Sequence, residues 1–120
     1  MLTGLKSAAT KKAMAIFESE LSARVDEKIE LFRNLTPADV SDDAKFSAVV
    51  IEPIWLYVRF QSGGAIGVLQ KLVDFDIEQR FRKAMFHVRN ELIVVHGGTV
   101  VLDPAFKERV GPVLIEAFKA

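Results

Sequence analysis

The stretch AVVIEPIWLYVRFQSGGAIG, residues 48–67, decides how this chain folds. It reads either as a buried strand feeding a glycine-rich, anion-cradling loop or as an apolar helix ended by glycine. Val, Ile, Trp, Tyr and Phe all favour strands, so local propensity alone points to β. The charges point the other way. Lys45, Glu52 and Arg59 recur every seven residues, close to two helical turns, which gathers them into one narrow polar stripe. In a strand, odd spacing would send successive charges to opposite faces. Pro53 is also better accommodated as a helix kink than as a missing donor inside a sheet. A helix follows, apolar on most sides, with Gly63–Gly64 as its C-terminal cap in the positive-φ conformation.

The phosphate-loop alternative is weak. SGGAIG, residues 62–67, has Ser62 where a dinucleotide fingerprint needs its first glycine. No Gly-Lys-Ser/Thr follows, and the next acid, Asp74, stands too close for a ribose contact.

Outward from this stretch the helical pattern continues. Met14, Phe17, Leu21, Val25, Ile29 and Phe32 step by three or four residues, one apolar stripe of a helix over residues 5–34. TPAD then opens a second helix. Thr36 is its cap, Pro37 its first residue and Asp39 the capping-box acid, with SDD at residues 41–43 as a second possible start. Acids at such a start are helix-initiating, not metal-binding. Ile77, Phe81, Met85, Val88, Leu92 and Val95 form the strongest stripe in the chain. It is supported by Asp76–Arg80 and Glu78–Arg82 pairs four residues apart. This helix is expected to run through Val95 and end at His96-Gly97-Gly98. Asp103-Pro104 opens the last helix, with a kink at Gly111-Pro112.

The expected fold is all-α: a single domain over residues 1–120, built as an antiparallel bundle of about four main helices. These span residues 5–34, 38–61, 65–96 (in one or two pieces) and 103–119, with residues 1–13 a frayed end or an amphipathic arm. The alternative is α+β, because VVHGGTVV also suits a short hairpin near residues 93–102.

Composition bounds the function. The 120 residues are half apolar and 27% charged, a globular chain with enough apolar side chains for one core and some surplus. Sixteen bases balance sixteen acids, which argues against a dedicated nucleic-acid binder and permits self-association. With no cysteine, disulfides, thiolate catalysis and cysteine-ligated metals are excluded. No secretory leader or membrane span is evident, so a cytoplasmic protein is expected.

Candidate chemistry is sparse. His87 and Glu91, four apart on one helix, could be a base with its orienting carboxylate, but no nucleophile accompanies them. Glu52 and Arg59 could complete a small polar pocket with them, framed by Trp55 and Tyr57. His87 and His96, nine apart on one helix, would face opposite ways and share no metal; His96 would be a pH-sensitive helix end. Arg80, Arg82, Lys83 and Arg89 interleave with Phe81 and Phe86, which reads as a salt-bridged face before it reads as an RNA platform. No cofactor or metal is implied, and an enzyme is the less favoured reading.

The leading expectation is a helical interaction module that binds itself or another protein through apolar helix faces, with Trp55, Tyr57, Phe81 and Phe86 as interface candidates. A second expectation is a peripheral membrane protein. Residues 1–17 hold Lys6, Lys11 and Lys12 and no acid, and with Leu2 and Leu5 they could lie on an anionic surface or dock on an acidic segment of another subunit.

Overall fold

The computed structural model describes residues 2–120, with side chains from residue 8 onward. The chain is mostly helical, with one small two-stranded antiparallel sheet. The expectation of a purely helical fold is therefore corrected in favour of the hairpin alternative.

Helix α1 spans Leu2–Glu27, and a turn at Lys28 and Ile29 separates it from α2, Glu30–Arg33. The apolar stripe survives this break, with Phe17, Leu21, Val25, Ile29 and Phe32 all buried. The second expected helix is four pieces. Helix α3, Pro37–Ser41, begins with a full capping box: Asp39 N–H donates to Thr36 Oγ1 at 3.2 Å, and Thr36 N–H donates to Asp39 Oδ2 at 2.9 Å. Helix α4, Asp43–Phe46, is capped by Asp42, so SDD is indeed a second start. A π turn, Ser47–Ile51, then leads into α5, Glu52–Leu72. Pro53 has no N–H to offer the carbonyl of Val49, and its ring crowds that carbonyl. A wider turn just before the proline relieves both problems.

Helix α5 does not stop at Gly63–Gly64. Among the described residues only Gly97 and Gly98 have positive φ, so the expected cap is not formed. Instead Ser62 alone departs from helical geometry, at φ −129° and ψ 26°, and the helix resumes beyond this kink. It ends at Val73, and Asp76 caps α6, Ile77–Leu92, by accepting from Gln79 N–H at 3.2 Å. The expected helix over residues 65–96 is thus two helices.

Ile93–His96 (β1) and Thr99–Leu102 (β2) pair antiparallel, with Val94 opposite Val101 and His96 opposite Thr99. Gly97 and Gly98 take φ of 60° and 77°, the two positive values a tight hairpin turn requires. β-branched pairs on both sides of this turn end the helix at Leu92, three residues short of Val95. His96 therefore closes a strand, not a helix. After a turn at Asp103, α7 runs from Phe106 to Lys119 as one helix with Pro112 inside it.

The elements pack by burying one face each. Helix α1 lies antiparallel along α5: Thr10 Oγ1 donates to the Leu72 carbonyl at 3.5 Å, and Tyr57 at the other end reaches Glu27 at 2.7 Å. Its other side meets α7, where Phe17 packs on Phe118 with ring centroids 5.2 Å apart. A Cβ on Gly111 would lie 2.5 Å from Ser22 Oγ, so α7 crosses α1 at a glycine because nothing larger fits without displacing that hydroxyl. Helix α6 joins the core through Trp55 against Phe81 at 5.1 Å. The described chain measures 57 × 23 × 21 Å. Its thickness is about two helix diameters of 10–12 Å, so each long helix keeps an outward face.

Candidate interaction face

The outward face of α5 is the feature that the rest of the fold does not explain. The inward face carries Ile54, Trp55, Val58, Ser62 and Leu69, all buried. At about 100° per residue, the opposite side carries Leu56 and Phe60 before the Ser62 kink, and Gly63 and Gly67 are exposed beyond it. Leu56 is 53% exposed and Phe60 85% exposed. No charged residue falls on this stripe before Lys71. A helix that is apolar on two opposite sides has the composition of a fully buried one, yet here one side meets solvent.

The three glycines on this stretch deepen the anomaly. Gly63, Gly64 and Gly67 have no positive φ, and a Cβ on any of them would meet nothing within 4 Å. Neither turn geometry nor internal packing calls for them, while each glycine costs an exposed helix roughly 1 kcal/mol relative to alanine. They form a flat shelf beside the projecting Phe60 ring.

Each flank of the stripe carries two acids and two bases. On the α1 side, Glu27 accepts from Tyr57 Oη and pairs with Arg24 at 2.8 Å, and Lys28 Nζ stands 4.2 Å from the centre of the Tyr57 ring. Glu20 accepts from Ser62 Oγ at 2.7 Å. The phenol's bond to Glu27 holds the Tyr57 pKa above its ordinary value. On the α6 side, Arg82 donates to Glu52 at 2.6 Å and to Glu78 at 2.7 Å, and these two carboxylates raise its pKa further. Beyond this triad Arg59 is exposed, with no carboxylate within ion-pair distance among the described residues.

Other expected site residues fall elsewhere. Trp55 and Phe81 are core, packed on each other with their rings tilted by 35°, and offer no free ring to a partner. Tyr57 is half-buried at the rim of the α5 face. Phe86 is half-buried against Phe46 at 5.9 Å with Arg89 over its ring at 4.9 Å, on the α6 surface. Lys11 and Lys12 are exposed on α1, whereas the side chains of Leu2, Leu5 and Lys6 lie outside the described residues.

The polar quartet does not converge. His87 and Glu91 are an exposed pair at 4.0 Å in an open cleft of about 710 Å³ between α6 and α7, together with Arg80, Lys83 and Arg109. Glu52 and Arg59 do not line this cleft. Arg80 lies 3.7 Å from the centre of the Phe75 ring and Arg109 is tied to Asp103 at 2.7 Å. Among the described residues no group of three His, Asp or Glu side chains could hold a metal ion, and no helix is long and apolar enough to cross a membrane.

Leu56 and Phe60 were not among the sequence-based candidates. Their signal was present: residues 56, 60, 63 and 67 step by three or four in the sequence, off the buried stripe. Gly63 and Gly67 also form a Gly-x-x-x-Gly spacing, which the cap reading obscured. Comparison with protein-family models, with curated proteins and with solved structures finds no match.

Proposed function

We propose that this protein is a non-enzymatic helical interaction module that self-associates through the outward face of α5. The observation that carries this reading is the bare apolar stripe itself, with an 85% exposed phenylalanine at its centre. Burying such a ring completely is worth roughly 1.5–3 kcal/mol, and aromatic anchors of this kind dominate binding energetics. The zero net charge of the chain removes long-range repulsion between copies.

The test is solution mass by light scattering on the full chain over a wide concentration range, for the wild type and for Phe60→Asp. The wild type is expected to be a dimer or larger whose mass is insensitive to salt, and the variant a folded monomer with an unchanged helical circular dichroism spectrum. A wild type that stays monomeric throughout, or a Phe60→Asp variant with wild-type mass, would overturn the reading.

A further inference from the structure

Past the Ser62 kink the surface shared by α1 and α5 changes character, and we infer that this end of it docks on an anionic lipid surface. The patch lies beyond the Leu56–Phe60 stretch, so the inference does not depend on the self-association proposed above.

The antiparallel packing of the two helices places its residues. Thr10 donates to the Leu72 carbonyl and Glu20 accepts from Ser62, so residues 10–20 of α1 stand level with residues 62–72 of α5. Ile16 is one turn before Glu20 and Val68 one turn before Leu72, which puts both on this stretch of the seam. Both are aliphatic side chains turned to solvent, 50% and 56% exposed. The surface around them is low, because Ala9, Ala15, Gly64 and Gly67 are exposed and carry at most a methyl group.

The free charge here has one sign. Lys12 on α1 and Lys71 on α5 are exposed on the patch and Lys11 at its edge, and none has an acid within ion-pair distance among the described residues. No acid occurs in α1 before Glu18 or in α5 after Glu52. The acids that border the patch are engaged or lie past it. Glu18 pairs with Lys119 of α7 at 3.6 Å, Glu20 is held by Ser62 and stands 3.7 Å from Arg24, and Asp74 follows the end of α5. Nearer Tyr57 the same side of the molecule carries acids and bases in equal number, so the positive surplus is confined to this end.

Lysines interleaved with exposed aliphatics select the occupant. An anionic bilayer offers negative headgroups at the level of the ammonium ends and acyl chains just beneath for Ile16 and Val68. The lysine stems lie along the apolar surface while their charges stay among the headgroups. Two helices side by side rest in the membrane plane, and the contact is peripheral: no helix among the described residues is long and apolar enough to cross.

Co-sedimentation of the full chain with vesicles tests this, setting phosphatidylcholine with about a third phosphatidylserine against phosphatidylcholine alone. Binding to the anionic vesicles is expected to be about tenfold tighter or more, and to weaken as salt is added. Lys12→Glu combined with Lys71→Glu is expected to abolish it, and Ile16→Ser combined with Val68→Ser to weaken it about tenfold. Both variants should keep the wild-type circular dichroism and solution mass. Equal binding to the two kinds of vesicle, binding to neither, or either variant binding as the wild type does overturns the docking and leaves self-association standing. A wild type that is monomeric by light scattering yet binds anionic vesicles overturns self-association and leaves the docking standing.

Discussion

Ser62 Oγ donates to Glu20 Oε2 at 2.7 Å, from the one residue of α5 whose backbone is not helical. Ser62 is buried to 5% exposure, so its hydroxyl has little water to turn to, and a carboxylate is a strong acceptor. The bond ties the kink to α1. Glu20 is partly open to solvent, which discounts the bond from the charged-pair range. Ser62→Ala is therefore expected to destabilise the chain by about 1 kcal/mol, measured by urea unfolding. A loss below ~0.3 kcal/mol would mean that the bend is set by the flanking glycines alone.

Gly64 and Gly67 are open to direct test because nothing lies within 4 Å of either added Cβ. In a Phe60→Asp background, where the face carries a charge, Gly64→Ala and Gly67→Ala should each stabilise the fold by about 0.5–1 kcal/mol. Unfolding midpoints in urea would report it. Destabilisation by either substitution would reveal an internal packing demand that the present geometry does not contain.

At Gly111 the expectation reverses. An added methyl collides with Ser22 Oγ at 2.5 Å but leaves Ser22 Cβ at a comfortable 3.7 Å. Gly111→Ala alone should be neutral or mildly destabilising, as the gain in helix propensity is spent on moving the hydroxyl. Combined with Ser22→Ala, the same substitution should stabilise by roughly 0.5–1 kcal/mol relative to Ser22→Ala alone. Equal effects in both backgrounds would show that the two helices do not meet here.

The capping box at α3 predicts a pH signature. The backbone N–H of Thr36, and then its hydroxyl, stabilise the Asp39 carboxylate and lower its pKa below the usual 3.8. A depressed carboxyl contributes stability that is fully present above its unfolded value and is lost as pH falls through the folded one. Asp39→Ala should therefore lower the urea midpoint at neutral pH, and its deficit should shrink in acid below 3.8. A deficit that stays constant into strong acid would count against the ionic character of the cap. Thr36→Ala, which removes the partner hydroxyl, is expected to cost about 1 kcal/mol.

The helical stripes were legible because their period repeats over many residues. Phe17 through Phe32 and Ile77 through Leu92 gave a signal no single residue could disturb, and both stripes are buried as read. Thr36, Pro37 and Asp39 were equally clear, since a capping box is a local arrangement with few alternatives. The glycines were ambiguous for a physical reason. Gly63–Gly64 and Gly97–Gly98 look alike in sequence, but the first pair sits between residues with helical partners on both sides, and the second between β-branched pairs that can bond across a turn. What decides is the neighbouring chain. The same limit applied to Trp55 and Phe81: large aromatics suit a core and an interface equally, and only the arrival of α6 against α5 assigns them to the core. Phe60, on the opposite side of the same helix, is left outside by the same packing.

The pairing of Phe17 with Phe118 has a consequence for how the chain acquires its shape. The two rings are separated by 101 positions in sequence, and the α1 stripe is completed only when α7 covers it. A growing chain thus extends α1, lays α5 along one side of it, and leaves the side that faces α7 uncovered until residue 118 has emerged. Local pieces, above all the α6–hairpin–α7 segment, can form while synthesis continues, but closure of the long loop must wait. Helix α1 is made well before α7 arrives to complete its enclosure, so the interval between the two is when its ridge is open to chaperones, to proteases, and to other nascent chains.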